Sequence, residues 1–502
     1  MSTTGTDRAA GLGVLLAACV SALVVNANTS AVTILLPAIS ADLSVPVDTL
    51  QWAVTGYMLV GAAVIVTSGA LGDVFGRRKI FLGGLILFVA SCVLIALSDG
   101  AAGVIAGRMI QGAAGSTILA CGMSLLSVAS SGAAQMKAIT LWGAASAIGA
   151  AAGPLIGGAL VGATGWQGLF WLDAAIAAAC IPLTLSSVSE SRDPNRPRSI
   201  DILGTVLVAV FLVPLVLALS ESGDWGWFSV PTISCLVIAV LGAAGFVAAE
   251  RRAAAPLVDL RLLRNRVLVG STIAILLVAG VLNALMYLFS LYFQDPATFA
   301  MSPLDAGVAT LPAAAAMIAV TPLITPFAVR IGSRQAVALG FALATTGAVA
   351  LIFVTESWSY SAFVLPMIAI AVGLGVANGP ASSASTSAVP DDQVGQASGI
   401  SNMARYVGGS LAVAGAATVS SGVTTGRTAD GASTADALAA GLAGASVLLA
   451  VMSVAGVALC VLLGRHRGEK TTAVHLAAAA AGTSHTIPTR PVPVPTSGGV
   501  PG

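Results

Sequence analysis

The chain has 502 residues, of which only 22 are basic and 21 acidic, leaving a net charge of +1. That is 9% charged with 57% apolar residues, against roughly 25% charged in ordinary soluble domains. So few charges cannot cover a soluble protein of this length, which excludes a water-soluble enzyme, a disordered chain and a nucleic-acid binder.

An all-α polytopic membrane protein is expected instead, because about 20 mostly apolar residues suffice for a helix to cross a bilayer. Runs without Asp, Glu, Lys or Arg fall at 9–41, 49–72, 80–98, 109–136, 138–172, 174–189, 202–220, 225–249, 267–294, 306–329, 335–355, 357–390, 406–426 and 437–464. Three single charges, Arg108, Asp173 and Arg405, lie inside spans. Merging across them predicts fourteen helices, the least apolar near 398–420.

In chain order, the first span runs past Cys19 to Pro37, which is too long for a cleaved leader. The second span begins Gln51-Trp52-Ala53-Val54-Thr55-Gly56-Tyr57 and ends in a compact loop, Gly69-Ala70-Leu71-Gly72-Asp73-Val74-Phe75-Gly76-Arg77-Arg78-Lys79. Here Gly69 permits close helix approach and Gly76 a tight turn. Asp73 can pair with Arg77 or Arg78, or cap a helix N-terminus. The loop reads as a charged clasp at a hinge; the plain alternative is a solvated loop that only sets orientation.

Span four carries Gly107-Arg108-Met109-Ile110-Gln111-Gly112. An arginine facing lipid costs roughly 2.5–3.5 kcal/mol or more, so Arg108 must face the bundle interior, water or a partner. Gln111, three residues on, shares its face. The pair is either a cavity or proton-path element or a structural hydrogen bond to a neighbouring helix. Span five holds Gly149, Gly153, Pro154, Gly157 and Gly158, a small-residue face suited to close packing with a proline that bends the helix. In this Ala-rich chain the same pattern also suits ordinary packing. Asp173, near the outer end of span six, is either a proton site or an interfacial residue.

The two longer inner loops, 188–201 and 250–266, bracket spans seven and eight. This predicts an N-terminal six-helix bundle (1–187), a linker with two accessory spans (188–266), a C-terminal six-helix bundle (267–464) and a disordered tail (465–502). The stretch 421–437 reads as a sizeable outer loop. Arg330-Ile331-Gly332-Ser333-Arg334 after span ten echoes the Gly-then-Arg loop after span two, as expected of repeated halves. Further cavity candidates are Asn28, Trp52, Tyr57, Asn283, Tyr287, Asn378, Asn402 and Arg405, each of which could equally serve helix packing. With the N-terminus placed inside, inner loops and tails hold 19 basic residues and outer loops one, Arg427. This agrees with the positive-inside rule and places both termini in the cytoplasm. The six cysteines all lie in spans and read as packing residues. The three histidines, His466, His475 and His485, lie in the tail, so no span contains a histidine relay.

These motifs, in this order, resemble the signatures of the major facilitator superfamily, in its fourteen-helix drug:proton antiporter branch. The stretches 51–57 and 398–409 (Ser398-Gly399-Ile400-Ser401-Asn402-Met403-Ala404-Arg405-Tyr406-Val407-Gly408-Gly409) are also similar to that branch. The resemblance implies the major facilitator fold, two six-helix bundles plus two accessory helices rocking about a central cavity. It implies that Asp73, Arg77 and Arg78 latch the cytoplasmic gate and that Arg108 handles protons. The span-five glycines and proline would form the antiporter element. One departure stands out: that branch commonly carries an Asp where this chain has Asn28, and an amide does not titrate.

The expected function is a secondary active exporter of small hydrophobic or amphiphilic compounds, proton-coupled, in a plasma membrane of bacterial inner-membrane type. Its partners would be a small-molecule substrate, protons and the lipid bilayer. No cofactor, metal or nucleic acid is expected, and no phosphate-binding loop motif points to ATP. Alternatives are a dedicated exporter of one endogenous metabolite or lipid, and a transport-inactive sensor or scaffold. An intramembrane enzyme would want a clustered nucleophile, base or metal set within the spans, and none is apparent.

Overall fold

The computed structural model describes residues 3–129, 132–192, 201–253, 256, 258–390 and 393–462, with a few side chains within these ranges excepted. Among them are fourteen helices long and apolar enough to cross a membrane. They are α1 (Thr3–Leu43), α2 (Trp52–Phe75), α3 (Arg77–Ala96), α4 (Ala101–Ala129), α5 (Gly132–Thr164), α6 (Gln167–Ser187) and α7 (Ile202–Trp225), followed by α8 (Val230–Glu250), α9 (Arg266–Gln294), α10 (Pro303–Ile331), α11 (Ser333–Ile352), α12 (Tyr360–Ser387), α13 (Val394–Ala429) and α14 (Thr434–Leu462). A single turn of helix, Val47–Leu50, leads into α2. The tail assigned to 465–502 lies outside the described residues.

Sequence-local signals set several boundaries. Side chains of Asp201, Ser229, Asn265 and Ser302 accept hydrogen bonds from the first free backbone N–H groups of α7, α8, α9 and α10, which these caps satisfy. Gly76 and Gly332 each stand alone between two helices, α2/α3 and α10/α11, at φ 115° and 90°. Other residues avoid that region, so the equivalent loops of the two halves turn on the same residue type.

The halves share one packing plan. In the first, α1 packs on α4, α5 and α6, α4 on α2 and α3, and α3 on α6. In the second, α9 packs on α12, α13 and α14, α12 on α10 and α11, and α11 on α14. Every pairing recurs eight helices later. The halves meet along α2–α13, α5–α10 and α1–α9. Contacts across this seam include Ser290 Oγ to Thr33 O at 2.7 Å and Gln294 Nε2 to Ile34 O at 3.0 Å. A Cβ on Gly307 would lie 2.7 Å from Pro154 O. All three lie in the part of the bundle remote from Gly76.

Helix α7 packs against α2 and α13, and α8 packs on α7. Val240 and Leu241 on α8 are well exposed, as suits a helix facing lipid. The expected outer loop 421–437 is corrected: α13 continues to Ala429 and α14 starts at Thr434. Arg427 and Asp436 pair at 2.8 Å, and Thr424 donates to Ala437 O at 3.2 Å. The stretch stays largely exposed, but its ends are helical and bonded to each other.

Candidate functional site

Arg108 occupies one of the most enclosed positions in the structure. Its side chain has no exposure, so its donors depend on partners within the protein, and Nη2 makes no hydrogen bond among the described residues. Nε donates to Ala53 O at 2.9 Å, Nη1 donates to Asn28 Oδ1 at 2.5 Å, and Nη1 also donates to Gln111 Oε1. The guanidinium lies 4.2 Å from the centre of the Tyr57 ring, a cation–π arrangement. Gln111 in turn donates Nε2 to Cys92 Sγ at 3.0 Å.

The amide of Asn28 faces both ways. While Oδ1 accepts from Arg108, Nδ2 donates to Asp173 Oδ2 at 2.7 Å. A neutral amide on α1 thereby joins a cation on α4 to a carboxylate on α6, with its dipole aligned between them. Asp173 is 3% exposed and lies six residues inside α6, about 9 Å along its axis. The interfacial reading of Asp173 is therefore corrected: it is a buried member of the Arg108 cluster. Asn28, Tyr57, Arg108, Gln111 and Asp173 are thus brought together. Cys92, which reads in the sequence as plain packing, is a hydrogen-bond acceptor here.

Arg405 forms a second centre. Nη1 donates to Asn378 Oδ1 at 2.8 Å and Nη2 to Ser382 Oγ at 2.7 Å, both on α12. Its neighbour Tyr406 lies with its ring 6.3 Å from that of Tyr57, so the two centres adjoin across the seam. Asn402 is half-buried and one turn from Arg405. Asn283 donates to Ala279 O of its own helix at 2.8 Å.

Two cavity candidates lie elsewhere. Trp52 is corrected: its Nε1 points to Glu221 Oε1 on α7 at 3.4 Å, on a different side of α2 from Tyr57. Tyr287 lines a cavity of about 420 Å³ at the end remote from Gly76, with Asp48, Asp295, Ser420 and Thr424.

At the Gly76 end, Asp73 Oδ1 accepts from Arg77 Nη2 at 2.9 Å and Nε at 3.1 Å. A residue not singled out in the sequence completes this hinge. Glu190 Oε1 accepts from the Arg78 backbone N–H at 3.1 Å, a carboxylate at the N-terminus of α3, where the helix dipole favours it. Arg77 N–H donates to Ser191 O, and Arg78 Nη2 to Leu185 O. The segment after α6 is thus fastened to the α2–α3 turn. A Cβ on Gly76 would sit 2.5 Å from Glu190 Oε1, whereas one on Gly69 meets nothing within 4 Å. Close approach at Gly69 is therefore corrected.

The span-five element serves two neighbours. Cβ atoms on Gly149 and Gly153 would collide with the carbonyls of Leu23 and Ala27, and one on Gly157 would lie 3.1 Å from Ala31 Cβ. These three, spaced by four, seat α5 on α1. Gly158 instead faces α10, where its Cβ would lie 2.5 Å from Pro303 O, and Pro154 O faces Gly307. One short segment therefore binds its own half on one side and the opposite half on the other.

Comparison with known proteins gives a consistent result. A family model described as Major Facilitator Superfamily matches residues 18–413. The chain is 30% identical to the tetracenomycin C resistance and export protein of Streptomyces glaucescens, over 80% of this chain and 74% of that one. It is 31% identical to the multidrug resistance protein Stp of Mycobacterium tuberculosis, over 81% and 74%. Among solved structures, a bacterial homolog of the human lysosomal transporter Spinster, in an inward-facing and unoccupied conformation, superposes with a TM-score of 0.62 at 16% identity, over 90% of this chain and 97% of that one.

Proposed function

The chain belongs to the major facilitator superfamily, and from that premise we propose that it is a proton-coupled exporter of small hydrophobic or amphiphilic compounds, working by alternating access. Relatives named for tetracenomycin C resistance and export and for multidrug resistance support the substrate class. The observation that carries the coupling is the buried chain Arg108–Asn28–Asp173.

Asp173 supplies the titratable group that Asn28 lacks. As a carboxylate it is compensated by Arg108 through the aligned Asn28 amide. When a proton binds, that compensation ends and the balance of bonds among α1, α2, α4 and α6 changes. Arg108 is also held by Ala53 O and Tyr57, and Tyr57 adjoins Tyr406 of the other half, so a shift of Arg108 is felt at the seam. Coupling then requires that proton and substrate favour different states, since a ligand equal in both shifts nothing.

In this reading, 1–187 and 267–464 are the rocking bundles, 188–266 is the linker with its accessory helices, and 465–502 is a cytoplasmic tail. The Asp73–Arg77 pair and the Glu190 contact form the cytoplasmic latch. The Lys/Arg bias supports placing the Gly76 end and both termini in the cytoplasm.

The test is efflux of a fluorescent amphiphilic dye from energised cells. Asp173→Asn is expected to reach the membrane at normal levels yet to lose uphill efflux, at least tenfold. Normal protonophore-sensitive efflux by that variant would place coupling elsewhere.

A further inference from the structure

We propose that Arg405 anchors an anion subsite, so that the preferred cargo is an amphiphile bearing a single negative group such as a carboxylate. This rests on the exporter reading and narrows its substrate class.

Charge within the spans is unbalanced. The spans contain two cations, Arg108 and Arg405, and one acid, Asp173. Asp173 is committed to Arg108 through Asn28. The partners of Arg405 are an amide oxygen and a hydroxyl, Asn378 Oδ1 and Ser382 Oγ. Both orient the guanidinium and neither neutralises it. Among the described residues no carboxylate pairs with it.

Access distinguishes the two arginines. Arg108 is sealed, whereas Arg405 is half-buried. Its position on α13 gives the direction of approach. Gly409, one turn on and on the same face, packs against Met58 of α2, where a Cβ would lie 2.6 Å from the sulfur. The stripe Asn402, Arg405, Gly409 therefore looks into the protein, between α12 and α9 of its own half and α2 of the opposite half, not toward lipid. A guanidinium held by two acceptors on one edge keeps further donors for a planar anion, which arginine binds in bidentate fashion. The partly exposed ring of Tyr406, backed by the buried ring of Tyr57, offers an aromatic surface for the rest of the molecule.

The energetics favour such a cargo. Expelling a monoanion against one entering proton carries two positive charges inward per cycle, a neutral compound one and a monocation none. An inside-negative potential therefore assists acid export most.

The experiment uses the full-length protein in liposomes with an imposed proton gradient and a potassium–valinomycin potential. Probes are naphthaleneacetate, its uncharged primary amide and the matching naphthyl amine, each followed as flux above empty liposomes. Wild type is expected to move the acid at least tenfold faster than the amide or amine, and to respond most steeply to voltage with the acid. Arg405→Gln should abolish this preference, and Arg405→Lys, which keeps the charge but not the planar fork, should retain it in part. If Arg405→Gln fails to insert, the wild-type ranking and the Lys variant decide. Equal or reversed ranking in wild type, or an intact ranking in Arg405→Gln, overturns the subsite alone. No protein-dependent flux of any probe overturns the exporter reading and the subsite with it.

Discussion

Asn28 shows how one side chain can change what a motif does. An acid at this position would face Arg108 directly. With an amide there, the carboxylate function resides 145 residues away, at Asp173. The amide is suited to this place because it offers an acceptor to the cation and a donor to the anion at once. That both charges sit inside spans is readable from the chain, as is the departure at position 28. Their meeting is not, because it depends on how α1, α4 and α6 are rotated about their axes. Asn28→Leu is expected to leave Arg108 and Asp173 unbridged. Leaving a buried group without its hydrogen bond costs about 1–3 kcal/mol, and more for a charged one, so the detergent-solubilised variant should melt well below wild type. Asn28→Asp should fold better than the Leu variant, since it satisfies Arg108, but should lose coupled efflux, because a second carboxylate then competes with Asp173. Equal melting of the Leu variant and wild type would mean that the bridge contributes nothing to stability.

At the scale of helices, glycine is informative only where the neighbour is known. Gly69 and Gly76 look alike in the sequence, yet only Gly76 needs its freedom, both for a φ of 115° and for the nearby Glu190. Glu190 itself gave no local signal, because it acts on a helix start 112 positions earlier. The span-five element is legible as a small-residue face, but not as one that serves α1 and α10 from two sides. The limits of α13 are hard to read for a different reason: it is the least apolar span, and its polar end stays helical while exposed, tied to α14 by the Arg427–Asp436 pair. The glycine contacts give a paired prediction. Gly149→Ala or Gly153→Ala should disrupt the α1–α5 contact and lower the yield of folded protein. Gly143→Ala, where a methyl meets nothing, should be neutral or stabilise by up to about 1 kcal/mol, the usual preference of a helix interior for Ala. Size-exclusion profiles and melting curves of the purified variants compare them directly, and identical behaviour of Gly153→Ala and Gly143→Ala would refute the close-packing argument.

For the molecule as a whole, the number of spans was the most legible feature, since it follows from charge-free length alone. The repeat was visible only at the loops, whereas the structure carries it through every helix pairing within a half. The two halves are joined at the end remote from Gly76, and the Arg108 and Arg405 centres adjoin each other across the seam between them. A machine of this kind should take cargo from the Gly76 side and move protons the other way in the same cycle. The decisive measurement uses everted membrane vesicles, whose outer face is cytoplasmic, with a pH-sensitive dye reporting an acidified lumen. Adding an amphiphilic substrate outside should bring it into the lumen and release protons from it, in wild type and not in Asp173→Asn. Substrate uptake with no proton release, or with equal release in both proteins, would contradict the account.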